Sequence, residues 1–120
     1  MPGSSGHHCH ALGCEVRCPP RMLMHRAHWA MVPRTFQRAV LYAYRKGQEE
    51  RMDPSVAYLH AAMEAVMAVA TLEDYSSAEI LAAPEVTGYR AWVIQISPAG
   101  AELEPLDKIL ARVRRMVGRP

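Results

Sequence analysis

The clearest hydrophobic period runs through MDPSVAYLHAAMEAVMAVATLED, residues 52–74. Val56, Leu59, Met63, Val66 and Ala70 recur at spacings of three and four, which aligns them on one stripe of a helix. Asp53 or Ser55 supplies an N-cap, and Pro54 sits where its missing N–H costs little. His60 lies between Val56 and Met63 and reads as a partly buried packing histidine. Upstream, Phe36, Val40 and Tyr44 repeat every four residues between Pro33 and Gly47, predicting a helix over 34–46. Ser76-x-x-Glu79 is a capping-box pattern opening a short helix over 77–83, with Pro84 as its stop. The chain closes on an amphipathic helix, with Leu106, Ile109, Leu110, Val113 and Val117 as its apolar stripe.

One segment breaks this helical run. In TGYRAWVIQISPAG, Tyr, Trp, Val and two Ile crowd together, favouring a strand over 89–96. Arg90, Trp92, Ile94 and Ile96 would share one face, and Tyr89, Ala91, Val93 and Gln95 the other. Ser97–Gly100 reads as a turn, after which AELE can return as a second short strand. A lone strand needs a partner for its backbone groups. That partner is AELE, the N-terminal segment, or a second copy of the chain, the last giving a homodimer through residues 89–96.

The predicted fold is therefore mostly α with a small β element (α+β). An N-terminal knuckle rich in Cys and His, whose chemistry follows below, packs on a helical core, followed by a C-terminal strand or hairpin and an amphipathic helix. Residues 1–7 are expected to be a flexible N-terminus, 8–75 a helical domain stabilised by that knuckle, and 76–120 a helix–strand–helix extension on the same core.

Composition supports a core: 50% of residues are hydrophobic and 22% charged. That core is rich in Met, which fills gaps but specifies packing weakly, so a staple would help. Residues 1–12 show no basic start followed by an apolar run, so no signal peptide is expected. The best apolar run, residues 61–70, is short and interrupted by Glu64, arguing against a membrane span. A cytoplasmic location follows as an expectation.

Charge is segregated. Residues 15–51 hold eight Arg or Lys against three acids, a net +5; residues 52–107 hold one against nine, −8; residues 108–120 hold five and no acid, +5. Such a chain can lay a basic face on an acidic ligand, or neutralise itself, head and tail against middle.

The candidate chemistry is concentrated in HHCHALGCEVRCPPRMLMHRAH, residues 7–28, which holds all three cysteines and five of six histidines. Three cysteines cannot pair completely, so a reduced metal site is the better reading. The cleanest spacing is Cys9-x4-Cys14-x10-His25-x2-His28. A short Cys pair wraps one edge of a tetrahedral zinc, with Gly13 freeing the turn, and the His pair lies on one face of a helix opening near His25. Cys18 is a rival ligand, and His8 and His10 are further alternates or supporting residues. The HExxH signature of a catalytic zinc is absent, as are a nucleophile with a placed base, a phosphate-cradling glycine loop and paired carboxylates. No catalytic residue is predicted, and the protein is expected not to be an enzyme.

The same stretch carries a resemblance. CHALGCE, PPRMLMHRAHW, VP and YRKGQ resemble a group of small phage- and prophage-encoded proteins of unknown function. Their pattern is a C-x4-C pair, a PP..LM segment, C-x2-H-W, VP and YR-x-GQ. It falls on Cys9, Cys14, Pro19, Pro20, Leu23, Met24, His25, His28, Trp29, Val32, Pro33, Tyr44, Arg45, Gly47 and Gln48, within roughly residues 8–65. His25 stands where the group has Cys, so Cys2His2 replaces Cys3His. Residues 75–120 fall outside the pattern. The resemblance implies phage origin and a metal site, and no mechanism.

Two functions remain open. The first is a small zinc-stabilised nucleic-acid-binding regulator, contacting phosphates through Arg17, Arg21, Arg26, Arg34, Arg38, Arg45 and Lys46 beside the metal segment, and Arg112, Arg114 and Arg115 in the tail. Against it, the ligand spacing is not that of a ββα finger. The bland alternative is that these arginines are solvated faces, or, in the tail, partners of the helix dipole. The second function is a phage accessory factor that binds and inhibits a host protein through the acidic middle, at Glu64, Glu73, Asp74, Glu79 and Glu85.

Overall fold

Helix α4, Val56–Leu72, runs through the middle of the computed structural model, which describes residues 7–120. The stripe expected from its sequence is in fact a nearly complete coat. Ala61, Ala62, Ala65, Met67, Ala68, Val69 and Thr71 are buried along with Leu59, Met63, Val66 and Ala70. A helix apolar on all sides belongs inside a helical bundle. Its alanines add little bulk, so neighbouring helices can approach closely. Ser55 caps it, its Oγ accepting from the Tyr58 N–H at 3.1 Å.

The other helices surround it. They are α1 (Arg26–Met31), α2 (Arg34–Ala43), the single turn α3 (Gln48–Arg51), α5 (Ser77–Ala82), α6 (Pro84–Ile96) and α7 (Leu106–Met116). Helices α2, α6 and α7 pack on α4, and α5 touches α4, α6 and α7. Phe36 and Val40 face inward from α2, and Ile109, Leu110 and Val113 from α7, as their spacing predicts. Helix α2 ends at Ala43, three residues before the expected stop. The Arg45 N–H donates instead to the Gln48 side chain at 2.8 Å, and Gly47 takes the left-handed conformation at φ +83°.

The predicted strand at 89–96 does not form. Those residues are the body of α6, which buries Val86, Tyr89 and Val93 at spacings of three and four against α4. The β-branched and aromatic content pointed to a strand, but tertiary packing overrode it. A helix also satisfies its own backbone, whereas a lone strand beside helices leaves its groups unpaired. Pro84 belongs to the same correction. It is the first residue of α6 rather than the stop of α5, a position where proline is favoured.

The return strand at AELE is likewise absent; Arg90 and Arg112 tie Glu104 to the bundle instead. The strand-pairing route to a homodimer through 89–96 thus has no strand to use. Among the described residues the only β feature is one antiparallel bridge, His8 to Arg17. The fold is mostly helical, without the small β element. The Ser76–Glu79 capping box forms as read, with both hydrogen bonds present.

Of the flexible N-terminus expected over 1–7, residues 1–6 lie outside the described residues. His7 is hydrogen-bonded to the Cys18 backbone, its Nδ1 at 2.9 Å from the carbonyl oxygen. Among the described residues no helix is long and apolar enough to cross a membrane.

Candidate metal centre

The His8–Arg17 bridge folds residues 9–16 into a loop. The Cys9 N–H donates to the Val16 carbonyl at 2.8 Å, and the Cys14 N–H to the Ala11 carbonyl at 3.0 Å. Gly13 turns the chain at φ +70°, a region an L side chain rarely adopts. The loop is held to the following segment by the His10 N–H, which donates to the Leu23 carbonyl at 3.0 Å. His25 then occupies the N-cap position of α1, its side chain free of any capping bond, and His28 lies within the helix.

These devices bring four donors together. The ligand atoms of Cys9, Cys14, His25 and His28 all lie within 4.8 Å of one another. Cys9 Sγ is 3.4 Å from His28 Nδ1, and Cys14 Sγ is 3.6 Å from His25 Nδ1. The four side chains predicted from spacing are thus the ones assembled, and together they can hold a metal ion. Cys9 is buried and the other three partly so. Burial pushes the Cys9 thiol up to about 11, with the Ala11 and His25 amides pulling the other way. A cation is what would hold a thiolate at that depth.

The expected alternates lie outside the cluster. Cys18 is buried, and its Sγ lies 3.7 Å from the Met22 carbonyl and 3.8 Å from His7 Nδ1. His10 turns away to share a hydrogen bond with Tyr89 Oη; burial, helped by His7 and His8, pushes its pKa down to about 4. His8 is exposed and bonds the Cys9 carbonyl at 2.8 Å.

Four residues that support the site were not foreseen. The His28 Nε2–H donates to Glu73 Oε2 at 3.0 Å, from the C-terminal end of α4. The Tyr75 hydroxyl donates to the Leu12 carbonyl at 3.4 Å, and the Gly13 N–H to Glu85 Oε2 at 3.1 Å. With Tyr89, they clamp the loop onto α4 and α6. No local signal marks them, because each partner lies far along the chain.

The predicted phosphate contacts divide into two groups. Arg17, Arg21, Arg26, Arg34, Arg38 and Lys46 are exposed and make no ion pair among the described residues. Arg114 and Arg115, in the last turn of α7, make none either. Arg45 donates to the Asp53 carbonyl. Arg112 is held between Glu64 at 3.3 Å and Glu104 at 2.8 Å, and Arg119 pairs with Asp74 at 3.0 Å. The tail therefore partly neutralises the acidic middle through Arg112 and Arg119, whereas the basic head reaches it only through Arg51, which pairs with Asp53 at 3.1 Å.

No family model, curated protein or solved structure matches this chain.

Proposed function

We propose that Cys9, Cys14, His25 and His28 hold one structural zinc ion, and that the protein is a small, non-enzymatic nucleic-acid-binding regulator. Phage origin rests on the residue pattern alone. The donor set supports zinc on geometric grounds. With Zn–S near 2.3 Å and Zn–N near 2.0–2.1 Å, a tetrahedron has S···N edges of about 3.6 Å. The two S···N separations, 3.4 and 3.6 Å, match that edge. Two thiolates balance the charge of a divalent ion. Four protein ligands leave no open position for substrate, which favours a structural role over a catalytic one.

The observation that carries the nucleic-acid reading is the unpaired basic surface. Arg17, Arg21, Arg26, Arg34 and Arg38 lie on the metal-organised segment and the helix after it, with no acidic partner among the described residues. Solvated cations of this kind neutralise phosphates and release counterions. Binding to a host protein through the acidic middle draws less support, because its acids are already engaged. Glu64 bonds Arg112, Glu73 bonds His28, Asp74 bonds Arg119, Glu79 closes a capping box, and Glu85 holds the Gly13 N–H.

One experiment addresses both parts. Metal content is measured on protein without a tag, and binding to labelled DNA is followed across salt concentrations before and after chelation. One zinc per chain, with steeply salt-dependent binding that chelation abolishes, is the expected result. A metal-free protein, or one indifferent to DNA at low salt, would overturn the respective part.

A further inference from the structure

Two adjoining cavities open on the side of the bundle where α2, α3, α4 and α6 meet the residues after the metal loop. The larger, about 480 Å³, is walled by Tyr44, Tyr58, Tyr89 and Trp92. The smaller, about 260 Å³, shares Tyr44 and Tyr58 and has Arg21 at its wall. Together they form a cleft with aromatic sides and a cation at one end. The larger cavity falls within the size range of small-molecule sites.

Its polar groups show what kind of ligand it suits. Gln48 is only 3% exposed, yet it lines the larger cavity. Its Oε1 accepts from the Arg45 N–H, and its Nε2 has no partner among the described residues. Among the described residues no fully occluded side-chain nitrogen or oxygen lacks a partner, so the Gln48 Nε2 is reached by solvent. With Gln48 lining the larger cavity, its N–H groups are donors open to a ligand's acceptor. Beside it, Glu49 accepts the Tyr44 hydroxyl at 2.7 Å, a bond that holds its carboxyl below the usual range and leaves an ionised acceptor. The Tyr58 hydroxyl is also without a partner among the described residues and adds a group able to donate or accept.

We infer that this cleft binds a single unstacked nucleobase, with one face against Trp92, its polar edge on Gln48 and Glu49, and its phosphate on Arg21. Every nucleobase offers what these groups lack: a flat π face and an edge carrying both a donor and an acceptor. Arg21 is exposed and makes no ion pair within 4 Å among the described residues, although its charge also helps to hold the Glu49 carboxyl down; a phosphate complements it. The inference rests on the nucleic-acid reading above and sharpens it, because it makes a splayed-out base, or a free nucleotide, the preferred ligand over a duplex.

The test uses the full chain as purified. Its affinity is measured for a single strand of about 12 nucleotides, within the range of known site sizes. The same backbone with abasic sites in place of its bases serves for comparison. The base-bearing strand is expected to bind about 10-fold tighter or more. Gln48→Glu keeps an oxygen on the Arg45 N–H but replaces the donor, and is expected to shrink that ratio. Equal affinity for the two strands would overturn the cleft while leaving phosphate binding intact. If neither strand binds, the nucleic-acid reading itself fails. A nucleoside monophosphate titrated against the intrinsic fluorescence of Trp92 and Trp29, which line the larger and the smaller cavity, then decides the cleft: saturable quenching upholds it as a free-nucleotide site, and no change overturns it.

Discussion

His28 and Glu73 lie 45 residues apart in the chain and 3.0 Å apart in space, with the imidazole Nε2–H donating to the carboxylate. That bond commits the proton to Nε2. The lone pair is then on Nδ1, the nitrogen that faces Cys9 Sγ at 3.4 Å. The carboxylate therefore orients the ring and raises its basicity toward a metal, while fixing the metal loop to the end of the central helix.

Glu73→Ala should weaken metal binding by about 10- to 100-fold, the usual cost of losing such a partner. Helix α4 is capped at its other end by Ser55 and should stay folded. Competition with a chromophoric chelator measures the affinity, and far-UV circular dichroism reports the helices. Unchanged affinity would mean that the histidine is oriented by packing alone.

The cysteines should separate cleanly. Cys9→Ser and Cys14→Ser each remove a ligand and are expected to abolish stoichiometric metal binding. Cys18→Ser should retain one equivalent, since Cys18 lies outside the four-donor group. Its cost would be stability, from disturbing a buried side chain. Loss of metal in the Cys18 variant would return it to the ligand set.

Helix α6 can be tested at an exposed position. Ile94 is 58% exposed, so its substitution changes propensity more than packing. In a helix, Ile94→Ala should be neutral or stabilising by a few tenths of a kcal/mol. In a strand the same change would cost up to about 1 kcal/mol. Thermal unfolding of the variant distinguishes the two.

That segment also shows how far the sequence could be read. Helix α4 was legible because its cap, its period and its alanines all agree. The four donors were legible because a close Cys pair and an i, i+3 His pair are local facts. Residues 89–96 were not. Their composition favours a strand, and the deciding fact was that α4 offers a helical surface to Val86, Tyr89 and Val93. The same holds for Glu73, Glu85 and Tyr75. Each acts on the metal loop across a distance in sequence that no local pattern encodes.

His60 gives a pH dependence. Burial, with Arg90 next, holds its pKa below 6.5, against the smaller pull of Glu64 and Glu104; Arg112 adds to the depression. A histidine whose folded value is depressed contributes stability above pH 6.5 that is lost as pH falls through the folded value, because the unfolded chain takes the proton first. His60→Gln should therefore lose less stability than the parent between pH 7 and about pH 5. Melts of both proteins across that range test it. The histidines of the candidate metal centre are common to both, so the difference belongs to His60. Parallel curves would mean that His60 keeps an ordinary pKa.

The arginines offer the sharpest contrast. Arg26, Arg34 and Arg38 are solvated and unpaired among the described residues, whereas Arg112 is bound to Glu64 and Glu104. If the basic head meets phosphates, replacing these three by Ala should weaken DNA binding at low salt. It should also lower the slope of log K against log salt by roughly 2–3, close to one unit per lost contact. Arg112→Ala should leave that slope unchanged and reduce thermal stability instead, by freeing the segment that Glu104 anchors and leaving Glu64 without its partner. Salt titrations of the two variants by fluorescence anisotropy make the comparison. An unchanged slope in the triple variant would move the contact surface away from the metal-organised head. A changed slope in Arg112→Ala would mean that this pair opens to bind phosphate.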